Sequence, residues 1–286
     1  MMRLKNYTWL LVLLANFVAC TPEPIDIDLP QADPKLVVYS QALPNQALIV
    51  TLSKSFSALS SPNENNIDST QQDSINNLFL NQFLVDNAII TIQGADYNDT
   101  LLRVTKGVFV APLFPFTPGN SYQLNAHDPV TGFSVSSNAT TLPIVGFDTI
   151  SAKRGSGEDS LEITLNYKVN DPVGENYYLV NVYTDSIPQN NFFSFDSNSE
   201  GNSISFSDRE FAQGKVERED KFQVTNTDTL VVSITNISKE YFDFLEARKR
   251  SGNSFLSEPI EYPSNIINGL GYFNLHAPSA SVIEIK

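Results

Sequence analysis

The chain has 286 residues, with 18 Lys or Arg against 32 Asp or Glu and a net charge of −14 at pH 7. Hydrophobic residues make up 41% and charged residues 17%, a globular composition with a length typical of two domains. The acidic balance argues against nucleic-acid binding, which depends on clustered Lys and Arg. A single Cys excludes an intrachain disulfide, and only two His argue against a multi-histidine metal site.

The first twenty residues are typical of a lipoprotein signal peptide. Arg3 and Lys5 form a basic start, and the apolar stretch 9–15 is too short to span a bilayer. The run 17–20, Phe-Val-Ala-Cys, resembles a bacterial lipobox, although Phe stands where Leu is usual. The alternative is an ordinary secreted protein in which the Cys has no role. We predict a signal peptide over 1–19 and lipidation of Cys20, which would anchor the chain in a membrane.

Residues 20–34 form a predicted acidic tether. Its prolines push the preceding residues toward extended conformations, which favours a semi-rigid spacer. Three early carboxylates, Glu23, Asp26 and Asp28, resemble the surface-export signal of lipoproteins from Bacteroidota. The alternative is a plain solvated linker on a lipoprotein that faces the periplasm. We therefore expect a lipid anchor in the outer membrane, with the protein facing the cell exterior.

Residues 35–143 are predicted to form an N-terminal β-sandwich. About seven short strand signals follow one another at spacings of 8–12 residues, a pattern typical of immunoglobulin-like or transthyretin-like sandwiches. Between two of them, the sequence Thr-Pro-Gly-Asn at 117–120 predicts a type II turn, with Pro second and Gly third.

A Leu-Pro step at residue 143 is predicted to separate this sandwich from a second β-rich domain over 144–286. Its first clear signal, at 161–169, alternates apolar and polar residues, which is typical of a half-buried strand. Ser238 is a suitable N-cap for one short α-helix near 239–250, which carries an apolar face. The predicted fold class is therefore mainly β, with one short helix in the second domain.

Two long polar insertions interrupt the strand signals, at 53–84 and 186–222. Long loops in a compact domain are usually functional or disordered. Exposed apolar side chains on polar loops often mark interfaces, so we interpret the aromatic residues here as partner contacts. The alternative is that they pack onto the sandwich. The predicted contact residues are Phe79, Phe83, Phe192, Phe193 and Phe195.

No motif in the sequence points to a catalytic or metal site. His127 and His276 lack the neighbours of a catalytic triad and are interpreted as structural or exposed. The run 196–201 imitates the start of a calcium loop, but Ser207 stands where the loop needs a bidentate Glu. We predict no catalytic residue, metal or cofactor. A hydrolase with an unmarked pair of carboxylates stays an alternative.

One short pattern recurs: Asp, then Ser or Thr, then an aliphatic residue or Thr. It resembles the O-glycosylation sequon of Bacteroidota. The alternative is structural, because Asp followed by Thr and an apolar residue also leads a turn into a strand. We expect glycosylation in the loops, at Ser69, Ser74 and Ser186. The pattern begins at Asp68, Asp73, Asp99, Asp148, Asp159, Asp185 and Asp228.

The tail at 258–273 resembles the closing signature of a Bacteroidota lipoprotein family known as domain of unknown function 4249. The acidic tether, the run 207–211 and the helix start at 237–241 agree with that family as well. The two glycines allow positive φ or close backbone approach. A structural role and a ligand or partner site both stay open for this motif. Its residues are Pro263, Ser264, Asn265, Gly269, Gly271, Tyr272 and Phe273.

The resemblance implies a two-part β-rich outer-membrane lipoprotein, in a family often encoded beside a TonB-dependent transporter. It implies no established activity and no catalytic residues. Our leading hypothesis is a non-enzymatic accessory lipoprotein that binds such a transporter or its nutrient. A structural, assembly or adhesion role in an outer-membrane complex is the main alternative.

Overall fold

A computed structural model describes residues 33–44, 46–55, 83–155, 161–184, 202–211, 214, 216–224, 227–251 and 263–286. Sixteen strands and one α-helix lie in these ranges, so the prediction of a mainly β fold with one helix is confirmed. The strands are β1 (Leu36–Ala42), β2 (Leu48–Lys54), β3 (Ile89–Gly94), β4 (Asn98–Thr100), β5 (Leu102–Thr105), β6 (Val108–Ala111), β7 (Ser121–His127), β8 (Ser134–Thr140), β9 (Phe147–Arg154), β10 (Glu162–Val169), β11 (Tyr177–Tyr183), β12 (Ser203–Ser207), β13 (Val216–Gln223), β14 (Thr229–Ile237), β15 (Leu270–Tyr272) and β16 (Ser279–Glu284).

The first sandwich packs a five-stranded sheet, in the order β15-β1-β2-β6-β5, against a four-stranded sheet, in the order β4-β3-β7-β8. Alternate residues of β1, such as Leu36 and Val38, point into the core, as the period of two requires. The turn at 117–120 has the expected hydrogen bond from the Asn120 N–H to the Thr117 carbonyl and a positive φ at Gly119.

The second sandwich packs a three-stranded sheet, β13-β10-β9, against a four-stranded sheet, β12-β11-β14-β16. The perfect alternation of β10 buries Ile163, Leu165 and Tyr167 against the facing sheet. A register shift between Lys168 and Val169 marks an irregularity where β10 pairs with β9. This sandwich therefore has its own hydrophobic core.

The helix α1 (Lys239–Ser251) begins where the sequence predicts. The Ser238 hydroxyl accepts a hydrogen bond from the Tyr241 N–H at 3.2 Å, so Ser238 is the predicted N-cap. Tyr241 and Phe244 form a third apolar cluster with Tyr177 and Ile237 of the second sandwich and Tyr272 of β15. The helix is thus fixed by its buried face.

The interpretation of 186–222 as one polar insertion is wrong for its second half, where the chain forms β12, a short 3-10 helix (Asp208–Glu210) and β13. On β13, Arg218 and Asp220 stand between Val216 and Phe222 on alternate positions that share one face. Charged residues at inward positions break the apolar alternation, so the sequence did not mark this strand.

The chain also crosses the boundary predicted at residue 143. β15 pairs with β1, and Ile266, Phe273 and Leu275 lie in the core of the first sandwich. The C-terminal part of the chain therefore contributes to both sandwiches. The division into two domains at residue 143 stays a prediction.

Candidate functional site

The tail segment, residues 263–277, contains the signature residues and lies along one side of the first sandwich. β15 runs parallel to β1 with Gly271 opposite Val38. Four residues earlier, Ile267 forms an antiparallel bridge with Ser136 of β8. The tail segment therefore connects edge strands of both sheets and closes that side of the sandwich.

Two glycines let the tail segment approach β1. Gly271 has a φ of +97°, and a Cβ there would lie 1.9 Å from the Val38 carbonyl oxygen. A Cβ on Gly269 would lie 2.7 Å from the carbonyl oxygen of Leu36. Because real Cβ atoms do not come this close to backbone oxygens, both positions need glycine in this arrangement.

Polar signature residues hold the tail segment in a hairpin-like loop. The Asn265 side chain accepts from the Phe273 N–H at 2.9 Å and donates to the Phe273 carbonyl at 2.7 Å. The Ser264 hydroxyl donates to the Gly271 carbonyl at 2.8 Å. Phe273 is fully buried. These signature residues thus fix the backbone conformation of the loop. Pro263, just before them, is exposed.

A buried polar contact that sequence reasoning missed joins Asn274 to Ser40 on β1. The Ser40 hydroxyl donates to the Asn274 carbonyl at 2.8 Å and accepts from the Asn274 N–H at 2.7 Å. The Asn274 amide donates to the Ser40 carbonyl at 2.8 Å. Full pairing is what buried polar groups require, so this contact fixes the position of the tail segment. Ser40 occupies a core-facing position of β1, and that polar interruption was the only signal.

Tyr272 turns away from the first core and joins α1. Its ring centroid lies 5.0 Å from that of Tyr241 and 5.4 Å from that of Phe244. The Tyr241 hydroxyl lies 3.1 Å from the Tyr39 hydroxyl on β1. Burial raises the pKa of Tyr241 well above its ordinary value, so this phenol stays neutral. The signature aromatic thereby links the first sandwich to the helix.

His276, at the end of the tail segment, is a buried neutral histidine. Its Nε2 accepts a hydrogen bond from the Ser238 N–H at 3.2 Å, so the ring proton is on Nδ1. Nδ1 has no hydrogen-bond partner in the described part of the chain. Burial lowers the pKa of His276 to about 3. The sequence interpretation placed it in an exposed or structural role, and the structural one describes it. His127 is the exposed histidine.

A charged cluster lies inside the second sandwich. Asp220 receives two hydrogen bonds from Arg218, at 3.0 and 2.6 Å, and one from the Tyr167 hydroxyl at 2.6 Å. The guanidinium carbon of Arg218 lies 4.3 Å from the ring centroid of Phe206. Burial raises the pKa of Asp220, but the bonds from Arg218 and Tyr167 outweigh it and lower that pKa overall. The cluster is fully paired, which is the condition for a stable buried ion pair.

A shallow depression lies on the three-stranded sheet beside this cluster. Its volume is about 380 Å³, and it mixes hydroxyl, amide and carboxylate groups. Such a set can form hydrogen bonds to a polar ligand but includes no nucleophile activated by a base. It is lined by Thr149, Ile150, Ser151, Asn166, Tyr167, Glu217, Arg218 and Glu219.

Residues 98–105, the edge segment, form the other side of the first sandwich. The chain passes from β4, at the edge of one sheet, to β5, at the edge of the other. Buried Leu101 is the crossing point between the two strands. Leu102 and Val104 are 62% and 68% exposed. An open strand edge with exposed apolar side chains is a surface to which another chain can add a strand.

Most predicted site residues lie outside the described residues. These are Cys20, Glu23, Asp26, Asp28, Phe79, Phe192, Phe193, Phe195, Ser69, Ser74 and Ser186. Of the predicted partner contacts only Phe83 is described, and it is partly buried beside the bridge of Leu84 to Ser53. The imitation calcium loop at 196–201 also lies outside them, and Ser207 caps the short 3-10 helix.

Three occurrences of the Asp-Ser/Thr pattern lie in the described ranges. Their hydroxyl residues, Thr100, Thr149 and Thr229, are all exposed and belong to strands. The Asp99 carboxylate accepts from the Thr100 N–H at 2.8 Å, as in a turn that enters a strand. Both the structural and the modification interpretation therefore remain compatible with the same exposed residues.

Within the ranges the structure describes, no three His, Cys, Asp or Glu side chains are grouped so that they could hold a metal ion. No helix in the same ranges combines the length and the apolarity that are needed to cross a membrane.

Several solved structures share part of the fold at low identity. The FN1–FN3 domains of chicken CNTN1 are 12% identical, with 73% of this chain and 62% of that chain covered and a TM-score of 0.27. A DUF3823 family protein from Bacteroides ovatus is 10% identical, with 55% and 84% covered and a TM-score of 0.25. Dimeric latent PorU from Porphyromonas gingivalis is 12% identical, with 92% and 21% covered and a TM-score of 0.24.

The chain thus spans about three fifths of the chicken CNTN1 fragment and one fifth of PorU. No curated protein matches the chain. A family model described as "Domain of unknown function (DUF4249)" matches residues 22–280.

Proposed function

The chain belongs to the DUF4249 family, and from this premise and its leader sequence we propose that it is a non-catalytic, lipid-anchored lipoprotein of the outer membrane. It faces the cell exterior and binds a TonB-dependent transporter or the nutrient that the transporter carries. The observation that carries the proposal is the order of parts along the chain: a lipobox-like run ending at Cys20, an acidic tether, and then two β-sandwiches. This is the plan of a binding module held at a membrane.

The edge segment supports a protein partner. Leu102 and Val104 expose apolar surface on a strand that pairs only with β6 among the described strands. Addition of a strand from a loop of the transporter barrel would satisfy the free backbone groups of β5 and cover both side chains. Phe83 and the predicted aromatic contacts outside the described residues extend the same proposal to the two insertions.

The carboxyl groups support a non-catalytic role. Glycoside hydrolysis needs one carboxylic acid whose pKa is raised, so that it is protonated before it acts. In the described part of the chain, three carboxyl groups have a shifted pKa, and for Asp128, Asp220 and Glu175 alike the shift is downward. Hydrogen bonds donated by Thr131, Arg218 and Tyr177 favour their ionised forms.

We also propose O-glycosylation at the predicted loop sites Ser69, Ser74 and Ser186. The exposed Thr100, Thr149 and Thr229 share the same Asp-Ser/Thr pattern. Intact mass measurement of the chain purified from its native membrane tests this. We expect added glycan mass that decreases in the S69A/S74A/S186A variant, whereas an unmodified mass would contradict glycosylation.

Lipidation is tested by metabolic labelling with a fatty-acid probe. The full-length chain should incorporate the probe and fractionate with the outer membrane, whereas Cys20→Ala should do neither. External protease should digest the anchored chain on intact cells. Labelling of the C20A variant, or a wild-type chain free in the periplasm, would contradict the anchor.

A further inference from the structure

The cations of the first sandwich collect at one of its ends. The sequence between residues 34 and 143 contains four Lys or Arg, namely Lys35, Lys54, Arg103 and Lys106. Lys35 precedes β1, Lys54 ends β2, and Lys106 lies in the turn between β5 and β6. Since β1, β2 and β6 are neighbours in one sheet, the three lysines lie at the same end of adjacent strands.

The second sheet contributes a turn to this end. Lys54 Nζ lies 3.6 Å from the Asp128 carboxylate, which begins the turn 128–132 after β7. Val130, near the tip of that turn, is 72% exposed. The end therefore presents an apolar tip beside a row of lysines. We call the set of Lys35, Lys54, Lys106 and Val130 the anchor end.

Two carboxylates at the anchor end, those of Asp128 and Asp86, are already engaged, whereas Asp33, just before Lys35, is exposed. The Asp128 carboxylate is 1% exposed and accepts from the Val130 N–H and the Thr131 hydroxyl. Asp86 pairs with Arg103. Lys35 and Lys106 form no ion pair within the described ranges and are exposed. At the opposite end, the turn from β3 to β4 exposes Asp96 and Asp99 instead. The first sandwich thus exposes lysines at the anchor end and aspartates at the opposite end.

The chain enters the first sandwich at the anchor end, because Pro34 leads directly into β1. Cys20 precedes Pro34 by fourteen residues (34 − 20), and an extended chain spans at most about 3.5 Å per residue, or roughly 50 Å in total. Whatever the conformation of the tether, a lipid on Cys20 keeps the first sandwich within this distance of the bilayer. Attraction of lysines to lipid phosphates acts over about a Debye length of 8 Å.

We propose that the anchor end is a phosphate-binding surface that docks on the lipid headgroups around the acylated Cys20. Lys35 and Lys106 contact headgroup phosphates, Lys54 lies between them paired with Asp128, and Val130 enters the headgroup layer. This orients the sandwiches with the edge Asp96 and Asp99 away from the bilayer. The inference rests on the proposed lipid anchor. It favours a membrane over the chain's own acidic tether as the occupant, because an exposed apolar tip serves a bilayer and not a carboxylate.

Depth-dependent quenching on the acylated full-length chain tests the orientation. Cys20 is the only Cys, so a single thiol introduced as Val130→Cys or Val173→Cys can be labelled with a fluorophore. Val173 is the matched control, since it lies in a similar Asp-Pro-Val turn and is 89% exposed. The chain is placed in vesicles of phosphatidylethanolamine and phosphatidylglycerol that contain a headgroup spin-labelled lipid, or in phosphatidylcholine vesicles.

In the anionic vesicles, we expect at least twofold stronger quenching at position 130 than at position 173. The variant K35E/K106E should reduce quenching at 130 to the level at 173. The variant K153E/K286E, with the same charge change at exposed lysines of the second sandwich, should leave it unchanged. Phosphatidylcholine, whose phosphates are masked by choline, should give weaker quenching.

Equal quenching at the two positions, or quenching at 130 that survives K35E/K106E, would overturn the proposal. If the acidic tether occupied the anchor end, the fluorophore at position 130 would be quenched only in the E23Q/D26N/D28N variant. That result would also overturn the proposal. A chain that does not float with vesicles after acylation would contradict the lipid anchor itself. The two failures are therefore distinguishable.

Discussion

At the scale of single residues, the most informative positions are polar groups in hydrophobic surroundings. Asp220 and His276 are both buried, and the structure gives each a different solution. Asp220 stays charged because Arg218 and Tyr167 supply hydrogen bonds. His276 stays neutral because only the Ser238 N–H faces its Nε2. Asp220 therefore stabilises the folded state in its charged form, whereas His276 stabilises it in its neutral form.

Loss of the Asp220 charge should destabilise the second sandwich. Asp220→Asn leaves the Arg218 guanidinium half-buried without its carboxylate, and breaking a buried pair from one side typically costs about 3 kcal/mol or more. Chemical denaturation of the variant would measure this. Glu162→Gln is the matched control, because its pair with Lys221 is exposed and contributes less than about 1 kcal/mol. Equal losses in the two variants would contradict the paired-core account.

The stability of the protein should fall in mild acid because of His276. Its folded pKa is about 3, below the ordinary value of 6.5, so the unfolded chain binds more protons between these values. The His276 contribution is complete above pH 6.5 and is lost as the pH falls toward 3. Each pH unit in that window costs at most about 1.4 kcal/mol.

Denaturation at pH 6.5 and pH 5.0 measures this slope. The wild type should lose up to about 2 kcal/mol more than His276→Gln over the interval. His127→Gln, at the exposed histidine, should keep the wild-type slope. A slope unaffected by the change at His276 would show that the ring is protonated in the folded protein or not buried.

At the scale of elements, the tail segment is the most constrained part of the fold. Gly271 combines a positive φ with a Cβ position 1.9 Å from the Val38 oxygen. Gly271→Ala should therefore destabilise the protein by about 3 kcal/mol or more, since β15 must move away from β1. Gly119→Ala is the control: φ is +85° there, with nothing within 4 Å of a Cβ.

For the control, only the cost of a left-handed residue remains, about 1 to 2 kcal/mol. Thermal or denaturant unfolding separates the two variants, and limited proteolysis of the tail segment reports whether β15 detaches. A Gly271→Ala protein as stable as Gly119→Ala would refute the close approach of β15 to β1.

Some of the strands and the helix could be predicted from local sequence patterns, and other strands could not. Strands with regular alternation, such as β10, and the helix capped by Ser238 were predictable because their signal is local. β13 was not, because Arg218 and Asp220 point inward, and their contacts with Tyr167 and Phe206 exist only in the folded chain. β15 was not either, since a three-residue strand that pairs with β1 more than two hundred residues away has no local periodicity.

The candidate site follows the same division. The signature residues were found from the sequence, but their hydrogen bonds to Phe273 and Gly271 depend on the tertiary path of the tail segment. Ser40 lies on β1, the strand that pairs with the tail segment. In the sequence it was visible only as a polar interruption of the apolar face of β1. The point where the edge segment crosses between the two sheets, at buried Leu101, has no signature in composition.

At the scale of the whole molecule, the tail segment makes the two sandwiches one unit. Tyr272 and His276 reach the helix, while Phe273 and Leu275 fill the first core. The opposite side of the first sandwich, the edge segment, presents exposed apolar residues. The proposed function therefore assigns stability to one side of the first sandwich and partner binding to the other.

Changes in the edge segment should separate binding from folding. Leu102→Lys/Val104→Lys removes exposed apolar surface, so the free energy of unfolding should change by no more than about 0.5 kcal/mol. Partner binding should be lost, because charged residues on an edge strand oppose addition of another strand. Val173→Lys, at an exposed residue of the second sandwich, is the matched control and should bind normally. Normal binding by the double variant would exclude the edge segment as the contact.

The most direct test is a pull-down of the tagged full-length chain from native outer membranes in mild detergent, followed by mass spectrometry. We expect a stoichiometric TonB-dependent barrel with the wild type and with Val173→Lys, and no barrel with Leu102→Lys/Val104→Lys. A chain recovered without any barrel, or a barrel of the outer-membrane assembly type in its place, would contradict the accessory role.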